Sequence, residues 1–240
     1  PLVGKSIRHL GLRQATGINI VGLWNRGGFS LPNPDTEVES STVLVLAGSE
    51  AQLASYSDWI GETGDRSSAP VLILGGGRVG QAAAATLREQ GVPYRIVEKN
   101  ARLSGDAENC ILGSAADHAT LIKAGIEVAP SVFITTHNDD VNIYLTIYCR
   151  RLRPDIQIIS RATLDRNINI LHAAGADLVM SHASMAANTI INILTPDRVL
   201  MLTEGLNIFR CPVPSDLVGK TLLESGIREN TGCSVIALFR

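Results

Sequence analysis

Between residues 71 and 180 the chain alternates short apolar runs with longer amphipathic ones. Val71-Leu72-Ile73-Leu74 is apolar throughout, the pattern of a strand buried on both faces. Runs near 71–74, 94–98, 109–112, 132–135, 156–160 and 177–180 predict six such strands. Helices are predicted between them, near 79–90, 101–107, 116–124, 139–152 and 163–174. Strand–helix alternation of this kind predicts an α/β fold, a Rossmann-like doubly wound parallel sheet covered on both faces. Gly91, Gly125 and Gly175 follow helices, and Asp139 and Thr163 are placed to begin them. A further helix is predicted over 184–194, with Met185, Ile190, Ile191, Ile193 and Leu194, and Thr195-Pro196 reads as the start of another short one.

The two ends of the chain repeat each other. Leu2-Val3-Gly4-Lys5 returns as Leu217-Val218-Gly219-Lys220, and Gly11, Arg13, Thr16, Gly17 and Leu23 return at the same offset of 215 as Gly226, Arg228, Thr231, Gly232 and Leu238. Nine identities over some 23 positions indicate one small module present twice. The first copy reads as a short helix (4–10), a strand (18–24), a Gly/Pro-rich turn region (25–35), a second strand (43–47) and a helix (50–60) capped by Ser49. In the second copy, 233–239 is strand-like, and the text stops before a turn and second strand. Residues 61–69, small and polar, read as a linker. The organisation expected is therefore a module over 1–60, a linker over 61–69, an α/β lobe over 70–200, and a partial second module over 201–240. The chain opens with proline and mid-motif, which suggests a fragment of a longer protein.

After the first apolar strand come Gly75, Gly77 and Gly80 in the spacing G-x-G-x-x-G. In such a turn the first glycine lets the chain leave the strand tightly. The second brings backbone close to a pyrophosphate, and the third lets helix pack on strand. Phosphates then sit on unpaired N–H groups at the positive helix end. Glu98 ends the next strand, where a carboxylate accepts hydrogen bonds from a ribose diol and repels a 2′-phosphate. Arg78, within the turn, can fork onto phosphate oxygens or be a solvated surface arginine. Thr135, Thr136 and Arg161 fall at carboxyl ends of strands, beside the cleft where ligands collect. His137 beside Asp139 and Asp140 suggests a metal or a general base, but carboxylates answering a helix dipole explain the cluster better.

Bulk properties narrow the class. With 240 residues, a formal charge of −2 gives no electrostatic case for nucleic acid or anionic lipid. Four widely spaced cysteines without C-x-x-C suggest neither zinc nor a disulfide framework, and so a reduced, cytoplasmic compartment. No apolar run approaches the ~20 residues of a membrane helix, and no signal peptide is visible. No metal site and no catalytic residue is assigned.

The motifs 75–80 (GGGRVG), 113–125 (GSAADHATLIKAG), 135–142 (TTHNDDVN), 159–162 (ISRA) and 174–179 (AGADLV) together resemble the RCK domain, or TrkA nucleotide-binding fold. The flanking copies resemble that family's C-terminal lobe. The resemblance implies a cytoplasmic regulatory module of a potassium channel or potassium transporter, at the inner face of the membrane. It implies pairing through a helix after the sixth strand, as 184–194 would provide, and assembly as a homodimer or ring acting on an upstream pore or transporter subunit. It also implies a bound NAD(H), ADP or ATP. Where many members read Gly-Asp-Ala-Thr, this chain has Gly113-Ser114-Ala115-Ala116, without the carboxylate near the adenine or adjacent ribose. Between Met201 and Pro214 the only acid is Glu204, which offers calcium little support. The candidate cofactor-binding residues are Gly75, Gly76, Gly77, Arg78, Val79, Gly80, Glu98, Lys99, Ser114, Ala115, Thr135, Thr136, His137, Asn138 and Arg161. The competing class is an NAD-dependent oxidoreductase. It lacks a substrate domain here, and with lysine only at 5, 99, 123 and 220 there is no Tyr-x-x-x-Lys pair. A purely structural scaffold would leave Glu98 and the glycines unexplained.

Overall fold

The computed structural model describes residues 2–25, 28–39, 42–63, 68–103, 108–194, 199–203, 206–209 and 211–238. A 3-10 turn (Ile7–Leu10) and α1 (Leu12–Thr16) lead into β1 (Asn19–Asn25), the centre of a small antiparallel sheet. β2 (Gly28–Ser30) pairs on one side of it and β3 (Val43–Ala47) on the other. α2 (Glu50–Thr63) follows, and Ser49 caps it as expected. The Ser49 hydroxyl accepts from the Gln52 amide at 3.4 Å while Gln52 Oε1 accepts from the Ser49 amide at 2.8 Å, a reciprocal capping box. Leu10, Leu12, Ile18 and Val38 close the module's own core.

The central lobe is a six-stranded, all-parallel sheet. Its strands are β4 (Val71–Leu74), β5 (Tyr94–Glu98), β6 (Cys110–Leu112), β7 (Ser131–Ile134), β8 (Gln157–Ala162) and β9 (Leu178–Ser181), in the order β6-β5-β4-β7-β8-β9. Between them run α3 (Arg78–Glu89), α4 (His118–Ala124), α5 (Asp139–Leu152) and α6 (Ile168–Ala174), and α7 (His182–Leu194) follows β9. The order reverses between β4 and β7, so the crevice of a doubly wound fold opens at the carboxyl ends of those two strands. The sheet is buried on both faces. Leu72 and Leu74 join one cluster with Val132, Ile134 and Ile158, while Val71 and Ile73 join another with Tyr94 and Ile96. Each such side chain contributes about 1.5–3 kcal/mol of burial.

Local chemistry explains where the elements depart from expectation. The predicted helix over 101–107 is only a 3-10 turn at Ala101–Leu103, and 104–107 lie outside the described residues. Glu98 takes the Asn100 amide at 2.8 Å and Asn100 Oδ1 takes the Arg102 amide at 3.0 Å, which competes with helical bonding. The helix predicted over 163–174 begins only at Ile168, so Thr163 does not start it. Asp139 accepts the amides of Thr163 and Leu164 at 2.8 and 3.0 Å and holds them out of the helix. The predicted helix at Thr195-Pro196 lies outside the described residues.

The repeat recurs in conformation. Gly4, Gly11 and Gly17 have φ of 79°, 63° and 76°, and their counterparts Gly219, Gly226 and Gly232 have 86°, 58° and 71°. α8 (Ile227–Thr231) matches α1, with Thr231 donating to the Ile227 carbonyl as Thr16 does to Leu12. A hairpin of β10 (Val199–Thr203) and β11 (Leu206–Phe209), not anticipated from the sequence, precedes this second copy. Residues 233–238 are in no strand, contrary to expectation. β1 is laddered on both sides in the first copy, and the second copy has no such neighbours among the described residues.

The first module is docked on the parallel sheet. Trp24, buried at the end of β1, donates its indole N–H to the Asp177 carbonyl at 3.2 Å, and its ring tilts against His172 with centroids 6.5 Å apart. Arg150 fixes that docking site from within, bonding the Gly175 carbonyl and the Asp177 carboxylate, each at 2.8 Å. Asp177 Oδ2 also accepts the Ile158 amide at 2.7 Å.

Trp24→Ala is expected to cost about 3–5 kcal/mol in denaturant unfolding, whereas Trp24→Phe keeps the apolar bulk and loses about 0.5–1.5 kcal/mol for the indole bond. Equal losses for the two variants would remove the hydrogen bond from this account. Asp139 gives a pH-dependent test. Burial alone pushes its carboxyl up, but hydrogen bonds from Asn167, Thr163 and Leu164 outweigh this and hold it below the usual aspartate range. A lowered folded value means that the stabilisation is complete above the ordinary value of about 3.9 and disappears as pH falls through the folded value. Asp139→Asn is expected to lose about 1–3 kcal/mol at neutral pH and to weaken less steeply on acidification, as read by urea melts across that range. An acid limb as steep as the native one would show that other carboxylates govern it.

Candidate functional site

The corner between β4 and α3 is built from glycines because other residues do not fit. Gly75 has φ 117°, and its amide donates to the Val97 carbonyl at 2.9 Å. A Cβ on Gly80 would collide with the Gly75 carbonyl oxygen, so only glycine lets α3 start directly against the strand end. A Cβ on Gly76 would meet the Leu103 carbonyl at 2.6 Å. Gly77 is the open position, where the nearest atom to a Cβ is His137 Nε2 at 3.8 Å. Gly77 is also the N-cap of α3, and no side chain caps that helix. The first-turn amides of Arg78, Val79 and Gly80 thus present the helix's positive end to the open space. The Arg78 side chain is exposed there.

Glu98 reaches this corner from the end of β5. It is buried, with Oε2 accepting the Gly76 amide at 2.6 Å and Oε1 the Asn100 amide at 2.8 Å. Each oxygen keeps a further lone pair for a hydroxyl donor. Lys99 is exposed beside it. Ser114 and Ala115 lie one strand farther out, beyond the end of β6. Ser114 is exposed with its hydroxyl on the Ala116 amide, and Ala115 packs against the core.

On the other side of the corner, the ends of β7 and β8 are tied together. The Thr135 hydroxyl donates to the Gly75 carbonyl at 2.9 Å, so this buried threonine supports the glycine turn. Thr136 bonds the Asn142 side chain at 2.5 Å, and Asn138 caps α5 by accepting the Val141 amide at 3.1 Å. Asp139 begins that helix as expected, one residue after its cap. His137 is exposed, with Nδ1 3.1 Å from the Arg161 guanidinium and Nε2 turned to the Gly77 side. Arg161 is buried at the end of β8, and its Nε has no hydrogen-bond partner. An orphaned guanidinium nitrogen, an uncapped helix start and a buried carboxylate fit a nucleotide's phosphates and ribose.

Two organising residues were not singled out from the sequence. Asn142, fully buried, donates to the Arg161 carbonyl at 2.9 Å and the Thr136 carbonyl at 3.2 Å. Its signal was available: 142, 145, 146 and 149 form the inward stripe of α5, and a polar residue on such a stripe requires partners. Gln81 bridges the Gly76 and Leu103 carbonyls at 3.3 and 3.2 Å, a contact between distant segments that spacing does not reveal. Among the described residues no cluster of three His, Cys, Asp or Glu side chains is arranged to hold a metal ion. Among the same residues, no helix is long and apolar enough to cross a membrane.

Comparison with known proteins places this architecture. The TrkA-N domain family matches residues 71–182 and the TrkA-C domain family matches residues 1–61. The chain is 31% identical over 184 residues to a Trk system potassium uptake protein TrkA homolog of Pyrococcus abyssi, covering 70% of this chain and 80% of that protein. It is 30% identical over 181 residues to potassium channel protein 1 of Methanocaldococcus jannaschii, covering 70% of this chain and 54% of that protein, so it spans about half of this relative's length. Among solved structures, the GsuK RCK domain superposes with a TM-score of 0.64 at 39% identity, covering 99% of this chain and 52% of that one. The GsuK channel bound to NAD gives 0.61 at 36% identity, covering 98% of this chain and 43% of that one. With a glycine corner on a parallel sheet and the small antiparallel module before it, the chain belongs to the TrkA family of RCK domains.

Proposed function

We propose that this chain is a ligand-sensing regulatory module of a potassium channel or transporter, and that its ligand is NAD or an adenine nucleotide. The observation that carries the reading is the conjunction at one corner of an uncapped α3, an open Gly77 face and the buried Glu98 carboxylate. Phosphates would rest on the first-turn amides with Arg78 beside them, and the adenosine ribose would donate its hydroxyls to Glu98. Ser114 and Ala115 then belong to the adenosine end, and Thr135, Thr136, His137, Asn138 and Arg161 to the far side. Support comes from relatives named as a potassium channel protein and a TrkA homolog, and from a similar channel structure bound to NAD.

The domain reading that accompanies this is a C-lobe over 1–60, a linker over 61–69, the nucleotide-binding lobe over 70–200 and a partial second C-lobe over 201–240. Its basis is the conformational match of the two glycine sets. The module would act at the inner face of the membrane, within a dimer or ring of such domains, on a pore or transporter subunit. Nucleotide biases that assembly only by its difference in affinity between two arrangements of lobes.

Calorimetric titration of NAD, NADP, ADP and ATP tests the reading. The native protein is expected to bind NAD more tightly than NADP, because Glu98 repels a 2′-phosphate. Glu98→Ala should weaken NAD about 10–100-fold through loss of hydrogen bonds to a charged acceptor and lower the NAD/NADP preference. Equal binding by both proteins would remove Glu98 from the site. No binding of any of the four to the native protein would overturn the nucleotide reading.

A further inference from the structure

Among the described residues two buried polar atoms have no hydrogen-bond partner, Asp177 Oδ1 and Arg161 Nε, and the Asp177 carboxylate is already paired with Arg150 through its other oxygen. Arg150 has the Asp177 carboxylate and three backbone carbonyls, Asp139 has three donors, and Glu98 has two. Arg161 is 9% exposed, and its guanidinium meets His137 Nδ1 at 3.1 Å, while Nε has no partner. Among the described residues no carboxylate pairs with it. A buried cation left this way is costly unless an anion completes it.

The direction in which Arg161 acts follows from His137. A guanidinium has only donors, so Nδ1 must accept and the imidazole proton resides on Nε2. Nε2 is the atom 3.8 Å from a Cβ position at Gly77. The ring therefore offers an N–H to the space that Gly77 leaves open, with the Arg161 charge behind it. β4, β7 and β8 are successive strands of the sheet, so Arg161 stands about 10 Å across from the glycine corner. Glu98 is on β5, on the opposite side.

We propose that Arg161 and His137 form a second anion-holding point, which takes the phosphate farther from the adenosine and makes the site select diphosphate-bearing adenine nucleotides over AMP. The inference rests on the nucleotide reading of the glycine corner and extends it. The shared ligand chemistry is the adenosine diphosphate unit, as free ADP or within NAD. Adenosine and the first phosphate are held by Glu98 and the α3 amides. The second phosphate supplies the charge that the Arg161 guanidinium lacks.

The test is calorimetry of adenosine, AMP, ADP and NAD with the full chain, as native protein, Arg161→Gln, His137→Phe and His137→Gln, with sedimentation on each. The native protein is expected to prefer ADP and NAD to AMP by about tenfold or more. Arg161→Gln should weaken ADP and NAD about 10–100-fold and AMP by less than about threefold, so that the preference collapses. His137→Phe, a change at an exposed position that the fold tolerates, should produce the same collapse to a smaller degree, and His137→Gln, which keeps a donor, should restore part of it. Equal losses for AMP and ADP, an unchanged ADP affinity, or loss of a dimer with the ADP/AMP ratio intact would each overturn the proposal. Failure of the native protein to bind any of the four ligands would instead refute the underlying nucleotide reading, and the extension with it.

Discussion

The site depends on one steric constraint, the contact of Gly80 with the carbonyl of Gly75. It sets how closely the first turn of α3 approaches the end of β4, at a distance that no side chain permits. Because α3 starts so close to the strand, its uncapped amides face the sheet's crevice rather than solvent at large. The glycine between them, Gly77, then leaves the only unfilled face of the turn among its described neighbours. A side chain at Gly80 would push α3 away, and the amides, Glu98 and the threonines would no longer converge.

Around that constraint the loops at the carboxyl edge of the sheet are cross-tied by polar side chains. Thr135 ties β7 to the glycine turn, Asn142 ties the loop after β7 to β8, and Asp139 ties α5 to the chain after β8. Gln81 and Glu98 do the same on the other side, holding the turn at 101–103 over Gly76. Most polar groups at the crevice therefore serve preorganisation, which lowers the ordering cost of binding. Arg161 is the exception, since its backbone is fixed through Asn142 while its side-chain Nε is unpartnered.

The same lobe carries the docking site of the N-terminal module at its opposite strands. Trp24 reaches the turn before β9, and β9 pairs with β8, the strand that ends in Arg161. Crevice and module thus meet neighbouring, directly paired strands.

Periodicity and glycine spacing were enough to read the alternation of strands and helices, the parallel sheet, the glycine corner and the position of Glu98, since each follows from local rules of burial and backbone freedom. The repeated module was legible too, and identical residues at fixed offset returned as matching glycine conformations. What the sequence could not supply was set by contacts between distant segments. The turn at 101–103 replaced a helix because Glu98 and Asn100 captured its amides, and α6 began late because Asp139 captured two others. That the Thr135 hydroxyl bonds the Gly75 carbonyl and the Ser114 hydroxyl accepts the Ala116 amide is also decided by the fold. The pairing of His137 with Arg161 and the seat of Trp24 on Asp177 likewise join residues 24 and 153 positions apart. Hydrophobic period is written in neighbouring residues and so can be read from them, whereas the partner of a buried polar group is chosen by the folded chain.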